Sequence, residues 1–328
     1  MVETDVHFPT DTNLLFDAIR KSIESCADLS QANGLSEWRQ SAYNIRQFKK
    51  SYRTIQRLRH STSKDEDKRQ AKRSEVEEAH RSYLEQAQGY LERARNTRIR
   101  LQIGCGVAPV LLEGLDAYMT HAERQIEQIR RRVLQGEIIA HPEKVFSIFE
   151  PHTEWIVKGK AGVPVELGLR VAVVEDYHGF ILHHQVMEKS TDDRIAVAIV
   201  QETQARFADL SSVSFDKGFH SPHNQAELKS LLERVVLPKK GKRSAADTAR
   251  EQDPEFMRLR RRHSAVESAI NALEVHGLDR CPDHGIDGFK RYVALAVVAR
   301  NIQRLGAVLR QHEQDKEQRK RGPYKQAA

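Results

Sequence analysis

No proline interrupts the chain between Pro9 and Pro109. Proline inside a helix removes a donor and clashes with the preceding turn, so this stretch is free to form long helices. The apolar spacing says that it does. Leu14, Leu15, Ala18, Ile19 and Ile23 fall on one helical stripe, and Trp38, Tyr43, Ile45, Phe48 and Tyr52 on a second. Pro9-Thr10-Asp11-Thr12 supplies a turn and an N-cap for the first. From Ser61 to Arg73 apolar residues are scarce, which predicts an exposed connection. Val76 to Arg100 and Leu111 to Val133 read as helix again, the latter ending in Arg130-Arg131-Arg132. Two or three antiparallel helical hairpins satisfy the pattern.

Cations crowd the second stripe: Arg39, Arg46, Lys49, Lys50, Arg53, Arg57 and Arg59. Any one of them is accounted for as part of a solvated surface. As a set, with cations exceeding acids from Arg39 to Arg100, they point to a face for a nucleic-acid backbone. The whole chain agrees in sign, with 53 Lys and Arg against 46 Asp and Glu in 328 residues. No apolar run is read as long enough to span a bilayer, and the N-terminus lacks the pattern of a signal peptide. Cys26, Cys105 and Cys281 are odd in number and far apart, which fits a reducing compartment and no disulfide framework. A cytoplasmic protein without membrane partners is expected.

Beyond His141-Pro142 the character changes. Val165, Leu167, Leu169, Val171 and Val173 share one alternation of a strand, Asp176-Tyr177-His178-Gly179 makes a hairpin turn, and Phe180 to Met187 returns as a second strand. Thr191-Asp192-Asp193 caps a helix to about Ala208. Val213 and Phe215 mark a short buried strand that stops at Asp216 and breaks at Gly218, and a short helix and the strand Val235-Val236-Leu237 follow. Lys239 to Asp253 reads as a mobile linker. Pro254 opens a helix carrying Arg258, Arg260, Arg261, Arg262, His263 and Glu267, with Leu259, Val266, Ile270 and Leu273 as its apolar stripe. The last long helix runs from Phe289 to about Leu309, with Tyr292, Leu295, Ala296, Ala299, Ile302 and Leu305 as its core face. This order is mixed α/β. It fits an RNase H-like sheet whose first strand ends near residue 1 and whose next strand follows a long helical insertion. The expected division is 1–10 for the end of the first core strand, 11–140 for the insertion, 141–311 for the core and 312–328 for a disordered basic tail.

An acid at a strand end, an acid on a basic helix and cations around both suit metal-dependent chemistry on phosphates. Phosphodiester cleavage by two metals needs carboxylates that hold Mg²⁺ or Mn²⁺ ions about 3.5–4 Å apart. Asp216 and Glu267 are the candidates, although Asp216 also reads as turn chemistry and Glu267 as an ion-pair partner. Lys217 and the cations of the Glu267 helix are candidate phosphate contacts. His276, Cys281 and His284, and His220 with His223, lack the spacing of a structural zinc site.

Four segments, in order along the chain, resemble bacterial insertion-sequence transposases of the DDE superfamily. Glu3-Thr4-Asp5-Val6-His7-Phe8-Pro9-Thr10-Asp11-Thr12-Asn13-Leu14-Leu15 is similar to a segment of theirs reading E-x-N-I-x-Y-P-T-D-S-x-L-L. Glu154 to Lys160 with Val165-Glu166-Leu167-Gly168 is similar to their lead into the next core strand. Phe215-Asp216-Lys217-Gly218-Phe219, with Ser221 and Asn224, resembles the segment of the second acid, and His263 to Arg280, with Asn301, that of the final Glu. The resemblance implies an RNase H-like core, two Mg²⁺ or Mn²⁺ ions, double-stranded DNA at element ends as substrate, a homodimer on DNA and a nucleoid-associated location.

Two departures qualify it. The family's first acid precedes the Glu3 segment, and Asp5 falls where relatives carry Asn, which leaves it a weak metal candidate. The family's Arg four residues before the final Glu and Lys seven after it are His263 and Glu274 here. The expectation is therefore a truncated copy with weak or no cleavage, the alternative being a non-catalytic DNA-binding relic or a modulator of a full-length transposase. A helical scaffold that never binds DNA is a third reading.

Overall fold

The computed structural model describes residues 1–58, 64–157 and 164–321, without the side chains of 264, 265, 320 and 321. The chain divides into two compact units, Val6–Pro151, and Met1–Asp5 with His152–Ala328. The unit that holds the helices therefore extends to Pro151, past the change of character at His141, although its last residues are not helical.

The first unit is built on four helices, α1 (Asp11–Ala32), α2 (Ser41–Arg57), α3 (Glu66–Ile99) and α4 (Glu113–Ile129). Thr10 and Asn13 start α1 by capping each other's backbone N–H groups at 3.2 and 2.9 Å. The stripe Leu14, Leu15, Ala18, Ile19 and Ile23 is buried as expected, against Phe48, Tyr83, Leu84, Leu115, Met119 and Ile126. At the centre the Phe48 ring stacks 4.7 Å from Tyr83 and 5.9 Å from Phe16. The Tyr83 hydroxyl donates to the Thr12 carbonyl at 2.9 Å, and burial pushes this phenol well above its usual pKa. Trp38 lies before α2 rather than on it. Its indole N–H donates to Thr97 at 2.9 Å, and Arg93 covers its ring at 4.2 Å. The polar stretch after Ser61 is shorter than its composition predicts, because Asp65 caps α3 immediately. Residues 59–63 lie outside the described residues.

The second unit is mixed α/β. Its main strand is β3 (Val165–Glu175), which pairs antiparallel with β1 (Val2–Thr4), β2 (Glu154–Val157) and β4 (Ile181–Met187). β7 (Arg280–Cys281) lies parallel to β1. A separate parallel pair joins β5 (Ser212–Ser214) and β6 (Arg234–Val236). The predicted hairpin forms: the Asp176 carboxylate accepts from His178 and Phe180 N–H at 2.9 and 2.8 Å, and Gly179 takes φ +82°. The faces of β3 divide by alternation. Ala172 and Val174 pack on α5 (Asp192–Gln204), whereas Leu169, Val171 and Val173 pack with Phe289, Val293 and Val297 of α9 (Gly285–Arg321).

Three expectations are corrected here. Lys239 to Asp253 is not a mobile linker: Ser244 and Asp247 form a capping box that starts α7 (Ala245–Gln252). The nearly buried Glu251 carboxylate holds this segment, accepting from Lys239 N–H at 2.7 Å beside Arg243 at 3.2 Å. The tail from 312 is helical to Arg321 as part of α9, and 322–328 lie outside the described residues. The core face of α9 is also rotated from the expected one. Phe289, Val293 and Val297 are buried, while Leu295, Val298, Ile302, Leu305 and Leu309 are about half or more exposed. Apolar residues on both sides of this helix made its stripe ambiguous. By length and composition α9 is the one helix among the described residues apolar enough to cross a membrane, with a mean hydropathy of 1.2 over its best window.

Gly168 fixes where β1 crosses β3. A Cβ there would collide with the Val2 carbonyl oxygen and stand 2.7 Å from Glu3 Cα, both backbone atoms that no rotamer change can move. Gly168→Ala is expected to lower stability by about 1–3 kcal/mol, as overpacking does, measured as a lower urea midpoint. An unchanged midpoint would show that β1 does not hold this position.

Candidate functional site

An open cleft of about 1570 Å³ runs through the α/β unit, lined by β3, β5 and α8 (Pro254–Leu273) among others. Asp216 and Glu267 both line it. The strand β5 brings Asp216 there. Phe215 is buried on α5, its N–H donates to the Val236 carbonyl at 2.9 Å, and Asp216 then stands just before the short turn Lys217–Phe219 without a side-chain capping bond to it. The Asn224 side-chain amide ties this turn to α5 by donating to the carbonyls of Asp193 (2.6 Å) and Phe219 (2.8 Å). Ser221 caps α6 (Pro222–Leu231) by accepting from Asn224 N–H at 3.0 Å. The motif around Asp216 is thus mostly scaffold: Phe215, Ser221 and Asn224 hold the loop, and Asp216 is exposed.

Glu267 is exposed on the face of α8 that carries Leu259, Val266 and Ile270 along the same cleft. Asn301, also part of the resemblance, has a structural task. Its side chain accepts from Ile181 N–H at 2.8 Å and donates to Ile181 O at 2.9 Å, fastening α9 to the start of β4.

Sequence reasoning missed Asp192, which it read only as a helix cap. Its half-buried carboxylate packs on the backbone of Gly218, where a Cβ would stand 2.5 Å from Oδ2. Burial raises its pKa above the ordinary 3.8; Arg170 opposes this, and Asp216 and Asp193 add to it. Glu175 also lines the cleft, and its pKa is raised by burial against the pull of Arg300. The oxygen donors Asp216, Glu267, Asp192 and Glu175 have the right chemistry for Mg²⁺ or Mn²⁺. Among the described residues, however, no three His, Cys, Asp or Glu side chains gather into a group that could hold a metal ion. Asp5 lies elsewhere, ion-paired with Arg280 of β7 and outside the cleft lining.

The cations predicted on α8 separate into two sets. Arg261, Arg262 and His263 line the cleft, with Arg262 over the Tyr177 ring at 5.0 Å. Arg258 and Arg260 do not line it; they lie 3.5 Å from Glu255 and 3.8 Å from Glu251. Lys217 is exposed beside Asp216. Arg170, Arg234, Arg300 and Arg304 also line the cleft, a contribution from distant elements that no local motif announces.

The helical unit holds a different surface. α2 buries Phe48 and Ile55, and Arg46, Lys49, Lys50, Arg53 and Arg57 are exposed on its other side. No acid occurs between Glu37 and Asp65. Elsewhere cations pair along their helices, as Arg20 does with Asp17 and Arg73 with Glu77. The five on α2 form no ion pair among the described residues. Such an acid-free helical face matches a run of backbone phosphates.

Comparison with protein-family models, with curated proteins and with solved structures gave no match for this chain.

The raised pKa of Asp192 makes a signed prediction. The folded state binds this proton more tightly than the unfolded chain, so stability falls as pH rises from 3.8 through the raised value. Above it the full cost of the ionised carboxylate remains. Asp192→Asn is expected to be more stable than the natural protein at neutral pH, an advantage that shrinks on acidification. Thermal melts from pH 3.5 to 7 check this, and parallel curves for the two proteins would refute it.

Proposed function

We propose that this protein is a DNA transposase of the DDE type, acting on double-stranded DNA with Asp216 and Glu267 as its metal-binding carboxylates. The observation that carries the reading is that these two acids, remote in sequence, line one cleft. An RNase H-like arrangement is supported by the antiparallel β1, β3 and β4, the parallel pair β5 and β6, and helices on both faces of β3. Mg²⁺ or Mn²⁺, when bound, would polarise a phosphate and activate the attacking oxygen. The chain's own contribution is positioning. Arg261, Arg262 and His263 line the cleft where they can orient a phosphate, with Lys217 beside Asp216. The exposed cations of α2 supply sequence-independent contacts to the duplex backbone.

A second reading, a DNA-binding protein without cleavage that modulates a full-length transposase, is favoured by the absence of a three-carboxylate group among the described residues. The two readings share DNA binding and differ in chemistry. Duplex affinity is expected to fall steeply with salt. Replacing Arg46, Lys50, Arg53 and Arg57 by Gln is expected to flatten that dependence, by about 0.9 in log–log slope for each phosphate no longer neutralised. Nicking of duplex DNA in Mn²⁺ that disappears in Asp216→Asn and Glu267→Gln, with binding retained, selects the transposase. Binding without any nicking selects the modulator, and salt-independent or absent binding removes both.

A homodimer on DNA is part of the proposal. The exposed residues Leu295, Val298, Ile302, Leu305 and Leu309 of α9 recur at alternating three- and four-residue spacing, the seam of a two-helix coiled coil. Ile302→Glu with Leu305→Glu is expected to convert a dimer to a monomer in light scattering without changing the thermal melt of the helical unit. A monomeric natural protein would remove this part of the proposal.

A further inference from the structure

The turn between β3 and β4 stands at the cleft, and its residues divide by task. Asp176 holds the turn with its carboxylate on two backbone N–H groups, and Gly179 takes the positive φ that the return needs. Arg304 of α9 fastens it, donating from Nε to the His178 carbonyl at 2.5 Å. Tyr177 makes none of these bonds. Gly179 N–H donates to Asp176 O at 3.1 Å, so Tyr177 is the first central residue of a four-residue turn. The commonest turn type leaves that position open to most side chains, yet here it carries a ring that is 78% exposed.

That ring is nevertheless held. Arg262 of α8 lies over it, 5.0 Å from the centroid, and the His178 ring meets it edge-on at 5.5 Å. On the same helix Arg258 and Arg260 lie near Glu255 and Glu251, whereas Arg262 has no ion pair among the described residues and covers Tyr177 instead. A guanidinium over one face of an aromatic ring, with solvent at the other, is half of a stack. A flat ring completes it. In nucleic acid such a ring is a base whose face is uncovered. Inside a duplex each base is covered by its neighbours, so the fitting group is a terminal or unpaired base. The surroundings suit its phosphates: Arg261, His263, Arg300 and Arg304 line the same cleft as Tyr177. Arg304 is the nearest to the turn, where a Cβ on Gly179 would stand 3.1 Å from its Nε.

We propose that Tyr177, held by Arg262, is a stacking platform for a terminal or unpaired nucleobase of DNA, with Arg300 and Arg304 on the phosphates beside that base. Glu267 follows Arg262 on α8 at a distance of about 7.5 Å along the helix axis, on the order of two base steps of 3.4 Å. A base seated on Tyr177 therefore fixes where the adjoining backbone passes Glu267. Every base has a π-face, so stacking is nearly indifferent to base identity. Tyr177 thus selects an opened duplex end rather than a sequence. This inference deepens the reading of the cleft as a DNA site and rests on it, but it requires no cleavage.

The test uses the full chain and two duplexes, one with a three-nucleotide single-stranded overhang and one whose overhang has the same backbone without bases. The natural protein is expected to bind the base-bearing overhang about fivefold to a hundredfold more tightly, the range that stacking on one aromatic ring covers. Tyr177→Leu keeps the bonds of the turn, which come from Asp176, Gly179 and Arg304, and is expected to lose the preference with an unchanged thermal melt. Tyr177→Phe is expected to keep it. A natural protein that binds the two duplexes equally, a preference that survives Tyr177→Leu, or a preference lost in Tyr177→Phe overturns the platform. In each of these cases binding to the abasic duplex leaves the DNA reading of the protein intact, so only the platform falls. Absence of binding to either duplex removes both.

Discussion

A strand inside a protein must find partners for its backbone on both sides, and in the α/β unit this demand falls on β3. It is the longest strand described, and β1, β2 and β4 all pair with it. Its two faces are both apolar, which draws α5 to one and α9 to the other. A strand covered on both faces has no solvated side on which an unpaired edge is cheap. The position of the cleft follows from that. It lies where β3 passes beyond β1, and β3, β5, α8 and the turn after β3 all line it.

Much of this was legible in the sequence because the signals were local. The hairpin was written in the alternation of Val165 to Val173 and in Asp176 and Gly179, whose side-chain acceptor and positive φ the turn uses. Pro9-Thr10-Asp11-Thr12 gave the start of α1, where Thr10 is the cap. Where two patterns competed, the reading failed. α9 carries apolar residues on opposite sides, and only packing decides that Phe289, Val293 and Val297 face inward. α7 looked like a linker because Lys, Arg, Ser and Ala are common in both; its decisive features are the Ser244–Asp247 box and the distant Glu251 contact to Lys239.

The site was legible in part for the same reason. Asp216 and Glu267 stood out because one ends a strand and the other rides a basic helix, and the fold brings both to one cleft. Asp192 did not stand out, since an acid at the start of a helix is already explained by capping. What makes it unusual is burial against Gly218 near a second acid, a tertiary fact. Conversely, Asn224, Asn301 and Gly168 belong to the segments that carry the resemblance, and the structure gives each a purely architectural task. Similarity in such segments reflects the demands of a scaffold as well as those of chemistry.

Charge separates the two candidate surfaces. In the cleft, Arg170, Arg234, Arg261, Arg262, Arg300 and Arg304 are interleaved with Glu175, Asp176, Asp192, Asp216 and Glu267. Opposite charges this close cancel at the distance of a passing polyanion, because screening limits each to about 8–10 Å in physiological salt. Such a cleft discriminates by contact and does little to attract DNA from afar. α2 is the reverse: its five exposed cations share the helix with no acid. A protein that must first capture a duplex and then position one phosphate has use for both kinds of surface. Capture requires uncompensated charge, whereas positioning requires cations and carboxylates held near one another at a strand end.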